Sequence, residues 1–241
     1  MFAYINALYQ MESSIGKVNV LTQLELWLDD NTVIQLDNAF YAPDLFSHSF
    51  YLISPVAELL DNFFKKIQLK KVGIRVYIDS EPRAAVIDDV KLSTDKYHPG
   101  DTLSIDVLLI PYHNEIFSKT IQFQIPDSID PGRYNLQVAG GMSFSYKDIF
   151  RPRSFQEQLE IIKRTPKNNS LWVMLMTQDK KIQLDGIELQ NLPPTETLLY
   201  KTETRPPLIV MPVYQYKEYP QDYVVQGQKS FSITIEDKDF K

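Results

Sequence analysis

The chain has 241 residues, a formal net charge of −6, 44% hydrophobic residues and no cysteine. This is enough apolar material for a real core. The composition excludes disulfides and thiolate chemistry and lacks the basic footprint that a general affinity for nucleic acid needs. No run approaches the roughly 18 to 20 continuous apolar residues of a membrane span.

In chain order, "MFAYINALYQMESSIG" sets Phe2, Ile5, Leu8 and Tyr9 at helical spacing, predicting a short amphipathic helix closed near Gly16. It has neither the basic n-region nor the unbroken apolar core of a signal peptide. The expectation is an intracellular protein or a segment of a longer exported one. "LELWLDDNTVIQLDNAFY" alternates, breaks at Asp29-Asp30-Asn31 and resumes, the writing of a β-hairpin. "SPVAELLDNFFKK" predicts a helix with Ser54 as cap, Pro55 at its first position and a buried stripe of Val56, Leu59, Leu60, Phe63 and Phe64.

From residue 71 the period changes to two. Val72, Ile74, Val76 and Ile78 alternate, and "RAAVIDDVKLS" returns after a turn at Glu81-Pro82. "HPGDTLSIDVLLIPYHNE" is a turn, a strand with Leu103, Ile105, Val107 and Leu109 on one face, and a second turn. "TIQFQIPDSIDPGRYNLQV" repeats that form. Turns and strands at this spacing predict an immunoglobulin-like antiparallel β-sandwich, closed at Gly140-Gly141. Ser154 and Glu157 form a capping box ahead of a second short helix over 155–164. "SLWVMLMT", "KKIQLDGIELQ", "PPLIVMP" and "SFSITIEDK" read as further strands, and only "VYQYKEYPQDYVVQG" has no clear period.

The fold class is therefore mainly β with a few short helices (α+β). Three regions follow: 1–70 with helix, hairpin and helix; 71–141 as the sandwich; and 142–241 as a helix with a β-rich C-terminal part.

The sequence shows little chemistry. His98 and His113 stand at opposite ends of one strand, too far apart to share a metal, and His48 has no helical partner at i+3 or i+4. Each reads as a turn or surface residue. Asp29-Asp30, Asp88-Asp89, Asp127 and Asp130 offer calcium or acid–base chemistry as an alternative, but they fall at turns and lack the interleaved Asp-x-Asp-x-Asp-Gly pattern. There is no G-x-S-x-G elbow, no G-x-G-x-x-G and no phosphate loop, so the expectation is no catalytic residue, no metal, no cofactor and no nucleotide. Arg151, Arg153, Lys163, Arg164 and Lys167 read as a solvated helix surface.

The runs "NAFYAPDLFSHSFYLISPVAELLDNFFKKIQLKKVGIRVYI", "HPGDTLSIDVLLIPYHNE", "IPDSIDPGRYNLQVAGG", "RPRSFQEQLEIIKRTPKNNSLWVMLM" and "LDGIELQNLPP" resemble the region downstream of the protease domain in large bacterial proteins related to the stage IV B sporulation peptidase. The resemblance spans residues 30 to 195 and includes no counterpart of the serine-peptidase domain, so it carries over no catalytic residue. It implies a non-catalytic β-rich accessory module of exported, envelope-associated proteins.

The expected function is a binding or structural module with a protein partner or neighbouring domain, and Tyr214, Tyr216, Tyr219 and Tyr223 are the candidate contacts, each an apolar ring with a polar tip. The alternative use of the same four is to cover a sheet edge. A second function class is a carbohydrate-binding or hydrolytic β protein with Trp27 and Trp172 as stacking platforms. The compartment is periplasmic, envelope or extracellular if the chain is part of a longer exported protein, and cytoplasmic if Met1 is the true start.

Overall fold

The computed structural model describes residues 18–42, 45–79, 81–144, 152, 154–177, 181–184, 187–189, 208–210 and 213–237. The helix expected over residues 2–16 lies outside them. Strand alternation builds the first layer. β1 (Val18–Leu28) turns through Asp29 to Asn31 into β2 (Val33–Ala42), with Leu24 opposite Leu36 and Leu26 opposite Ile34. Asn31 takes φ 66°, a left-handed turn conformation that Asn tolerates better than most side chains.

Helix α1 spans Leu45–Leu60, earlier and longer than the spacing predicts. Ser54 and Pro55 are inside it, and Pro55 forgoes the bond its N–H would have made four residues back. Asn62 ends the helix: its Oδ1 accepts the N–H groups of Phe64 and Lys65 at 3.0 and 2.8 Å, and its Nδ2 donates to the Leu59 carbonyl at 2.9 Å. Phe63 and Phe64 thus fall in a turn, and Phe63 is 98% exposed instead of buried.

β3 (Leu69–Asp79) pairs antiparallel with the other side of β1, giving the order β2-β1-β3. The strand beginning near residue 71 therefore belongs to this sheet and not to the sandwich, because alternation defines a strand's faces but not its partner. α2 (Phe155–Lys163) starts where Ser154 accepts the Glu157 N–H. With α1 it covers one face of the sheet, burying Leu59, Leu159 and Ile162 against Leu24, Leu26, Leu28 and Ile34.

The sandwich uses β4 (Ala84–Leu92), β5 (Lys96–Tyr97), β6 (Thr102–Pro111), β7 (Phe117–Gln124), β8 (Gly132–Gly140) and β9 (Ser170–Thr177). A small sheet forms from β10 (Lys181–Leu184), β11 (Ile187–Leu189) and β12 (Leu208–Val210). β13 (Val213–Pro220), β14 (Val224–Gln226) and β15 (Gln228–Ile235) then return to the sandwich, completing the sheets β13-β9-β8-β15-β5 and β14-β4-β6-β7. β15 enters between β8 and β5, so the end of the chain is built into the body formed by the middle. The two sheets share one core in which Leu103, Ile105, Val107 and Leu109 of β6 meet Leu136, Val138, Leu171, Val173 and Ile233. At the start of β8 the Tyr134 hydroxyl donates to the Asp130 carbonyl at 2.8 Å, holding the turn that enters the strand.

One loop joins the first sheet to the sandwich. Asn38 Oδ1 accepts the Asn168 N–H at 2.8 Å and Asn38 Nδ2 donates to the Pro166 carbonyl at 3.0 Å. Asn168 Nδ2 donates to the Ala39 carbonyl at 2.8 Å, and the Asn168 carbonyl accepts the Val225 N–H at 2.8 Å. Gly141 lets this loop close: a Cβ there would stand 1.9 Å from the Lys167 carbonyl oxygen, a clash with backbone that no rotamer relieves.

Asn168 is 8% exposed, so Asn168→Ala leaves the Ala39 carbonyl without its donor. The expected cost is about 1–3 kcal/mol, read from the urea midpoint at unchanged m-value. A change within about 0.5 kcal/mol, typical of a neutral surface site, would show that the joint contributes nothing.

Candidate partner-contact surface

The three of the four tyrosines whose side chains are described do not form one outward patch. Tyr214 lies on β13, but its side chain is outside the described residues. Tyr216 stacks on Trp172 with ring centroids 5.8 Å apart, and Trp172 stacks in turn on Phe144 at 4.7 Å. The Tyr219 hydroxyl donates to the Gln122 carbonyl on β7, a bond that crosses from one sheet to the other. Lys217 Nζ stands 5.1 Å from the Tyr219 ring centre. Tyr223 packs beside Phe117 of β7, ring centres 5.7 Å apart. Tyr219 and Tyr223 therefore close the seam between the β13 side and β7, and both rest against the main core.

The two tryptophans differ. Trp172 is 4% exposed and donates its indole N–H to Ser170 Oγ at 3.2 Å, while Ser170 Oγ donates to Glu218 Oε1 at 2.7 Å. Enclosed between two rings, Trp172 presents no open face to a sugar. Trp27 is half-buried over Gly73, with Lys71 Nζ 4.6 Å from its ring centre.

His98, His113 and most of the candidate carboxylates sit in turns or on exposed strand positions. The His98 N–H donates to Asp101 Oδ2 at 2.7 Å, and His113, at φ 62°, stacks on Tyr112 with ring centres 3.9 Å apart. They flank β6, and the side chain of His48 in α1 is outside the described residues. Asp30 pairs with Lys65 Nζ at 2.7 Å, and the bond from Lys65, aided by the Thr32 N–H, holds its carboxyl well below the usual carboxylate range. Asp88 is exposed, and Asp89 sits at a β-bulge of β4 and accepts the Val90 N–H at 2.9 Å. Asp127 and Asp130 are exposed, with the Asp130 carbonyl held by Tyr134. Among the described residues no three histidine or carboxylate side chains gather as metal ligands.

An exposed apolar surface lies on the first sheet, where the sequence reading did not place a contact. Leu24 and Leu26 are 3% and 0% exposed, but their direct neighbours across the β1–β3 pair, Ile74 and Val72, are 39% and 44% exposed. The helical layer thus covers β1 and stops short of β3. On the opposite face Leu21 and Tyr77, also paired across the sheet, are 52% and 54% exposed. The only sequence signal for this was that Val72, Ile74, Val76 and Ile78 alternate with Lys71, Arg75 and Tyr77, which identifies the strand without saying that it is an edge.

Among the described residues the cations of β3 have only neutral partners, while Asp79 at its end pairs with Arg83. Lys70 Nζ donates to Asn31 Oδ1 at 3.3 Å, Arg75 Nη1 donates to Gln23 Oε1 at 2.9 Å, and Lys71 lies over Trp27. On a chain of net charge −6 this is a locally basic strand. Comparison with protein-family models, with curated proteins and with solved structures finds no match to this chain.

Burial pushes the Tyr219 hydroxyl up to about 12. An unfolded tyrosine ionises near 10, so the stabilisation from keeping Tyr219 neutral is fully present below pH 10 and is lost as the pH rises through 12. Between those values the wild type should lose stability more steeply than Tyr219→Phe, measured by chemical denaturation at each pH. Parallel curves would mean that the Tyr219 hydroxyl is not buried at the seam.

Proposed function

We propose that this chain is a non-catalytic, β-rich accessory module whose task is to pack against a protein partner or a neighbouring domain. The observation that carries this reading is apolar surface left open at β3, with Val72 and Ile74 on one face and Tyr77 beside Leu21 of β1 on the other, each more than a third exposed. Neighbouring apolar side chains left exposed on a folded domain offer surface that another protein can cover. The partner contact accordingly belongs on the first sheet, and Tyr219 and Tyr223 serve the sandwich seam.

The wider setting we propose comes from the resemblance to the region following the protease domain in relatives of the stage IV B sporulation peptidase. In that setting the module belongs to, or stays associated with, a larger exported bacterial peptidase-like protein and acts in the cell envelope. The finer architecture we propose is immunoglobulin-like, supported by the Tyr134 corner at the entry to β8.

The test is the mass and cell fraction of the native polypeptide, read with an antibody against residues 84–140 and followed by size-exclusion chromatography of the extract. The proposal expects envelope or secreted material that is either much larger than 28.0 kDa or elutes in a complex. A monomeric 28.0 kDa species in the cytosol would contradict both the export setting and the packing role.

A further inference from the structure

The two edges of the first sheet are treated differently. The β2 edge is engaged at residues 37–39 by the joint, where Asn168, Pro166 and Lys167 bond to Asn38, Ala39 and Asp37. β3 pairs with β1 alone, and among the described residues no strand lies along its other side. Eleven residues of straight strand therefore present a row of backbone donors and acceptors on one side. Natural sheets shield such an edge with proline, a bulge, a short strand or charged side chains, Lys above all. On β3 the charge is present, as Lys70, Lys71 and Arg75, and it repels a like-charged strand while admitting an acidic one. Leu69–Asp79 contains no proline, and its one register shift, opposite Trp27 and Leu28, lies at its beginning.

We infer that β3 is a strand-addition site, and that its occupant is an extended segment of another protein in which apolar and acidic residues alternate. This rests on the reading of the chain as a partner-binding module and specifies how the partner is held. Backbone pairing supplies affinity at any such edge, and alternate side chains supply specificity. Here the alternation is explicit. One face of the incoming strand would lie beside Val72, Ile74, Val76 and Ile78, and the other beside Lys71 and Arg75. Lys71 and Arg75 have no carboxylate partner among the described residues, so acidic residues on the incoming strand complement them without breaking an existing ion pair. The same charge argues against a second copy of this chain. Pairing β3 with β3 would bring two sets of Lys70, Lys71 and Arg75 together between molecules that each carry −6.

The experiment uses the full chain and a fluorescein-labelled peptide in which Val alternates with Glu, compared with a Val/Lys peptide and a Val/Glu peptide interrupted by Pro. Anisotropy should show saturable binding of the Val/Glu peptide only. Lys71→Glu combined with Arg75→Glu should weaken that binding roughly tenfold or more and create binding of the Val/Lys peptide. Ile74→Lys should abolish both, and thermal melts establish that each variant folds. Hydrogen exchange gives a readout independent of affinity: the outward amides of residues 70–78 should exchange fast in the free protein and slowly with the peptide bound.

Absence of binding, or binding indifferent to the charge reversal, would overturn the inference. So would full protection of those amides before any peptide is added, since the edge would then be covered by the chain itself. A dimer in sedimentation velocity that Ile74→Lys dissolves would put a second copy on the edge and refute the acidic segment. Any of these failures removes the β3 edge as the acidic-strand site, whereas the partner-binding reading is decided separately by the native complex.

Discussion

The arrangement of this protein depends on a short polar joint between Asn38 on β2 and Asn168 in the loop before β9. The residues are 130 apart in sequence, and the joint carries both side-chain amides and backbone groups. Asn38 satisfies two N–H groups with one oxygen, those of Ala39 and Asn168, while Asn168 reaches the Ala39 carbonyl at the sheet edge and the Val225 N–H in the sandwich. Polar groups buried in this way must be paired or they cost free energy. Their geometry therefore fixes how the first sheet meets the sandwich more tightly than apolar contact alone would.

Several other features follow from that joint. Gly141 is required because the Lys167 carbonyl sits where a Cβ would be. Ser170, fully buried, follows directly and links Glu218 to the Trp172 indole, so the same loop also sets the Phe144, Trp172 and Tyr216 stack. With the β2 edge engaged at residues 37–39 and the helices resting over β1 and β2, β3 is left as the outer strand of the layer. The open surface there follows from where the joint was made, and it gives the chain an edge with Val72 and Ile74 on one face and Lys71, Arg75 and Tyr77 on the other.

Most strands were legible in the sequence because period-two alternation with turn residues between runs is a local property. Residues 102–111 and 132–140 and the paired runs at 181–184 and 187–189 all fall where the pattern puts them. The second helix was legible too, since Ser154 is a cap that works through its own neighbours. What was illegible was pairing at a distance. Nothing in "KVGIRVYI" says that its partner is β1, and nothing in the "YNLQV" run says that β15 will lie beside it. The first helix was misplaced because the helical run begins before Ser54 and because the side chain of Asn62 ends it before the apolar stripe does. The tyrosines illustrate the same limit: composition marks them as useful contact residues, but only the fold reveals that Tyr219 and Tyr223 face β7.

The central claim is that the partner is met along the first sheet and not along the tyrosine-bearing strands. A photo-crosslinking amino acid placed at position 77 in one variant and at position 223 in another, each expressed in the native host, tests it directly. The account predicts a discrete crosslinked species from position 77 and none from position 223. A species from 223 alone would contradict it, placing the contact on the sandwich seam and leaving β3 as an exposed edge without a partner.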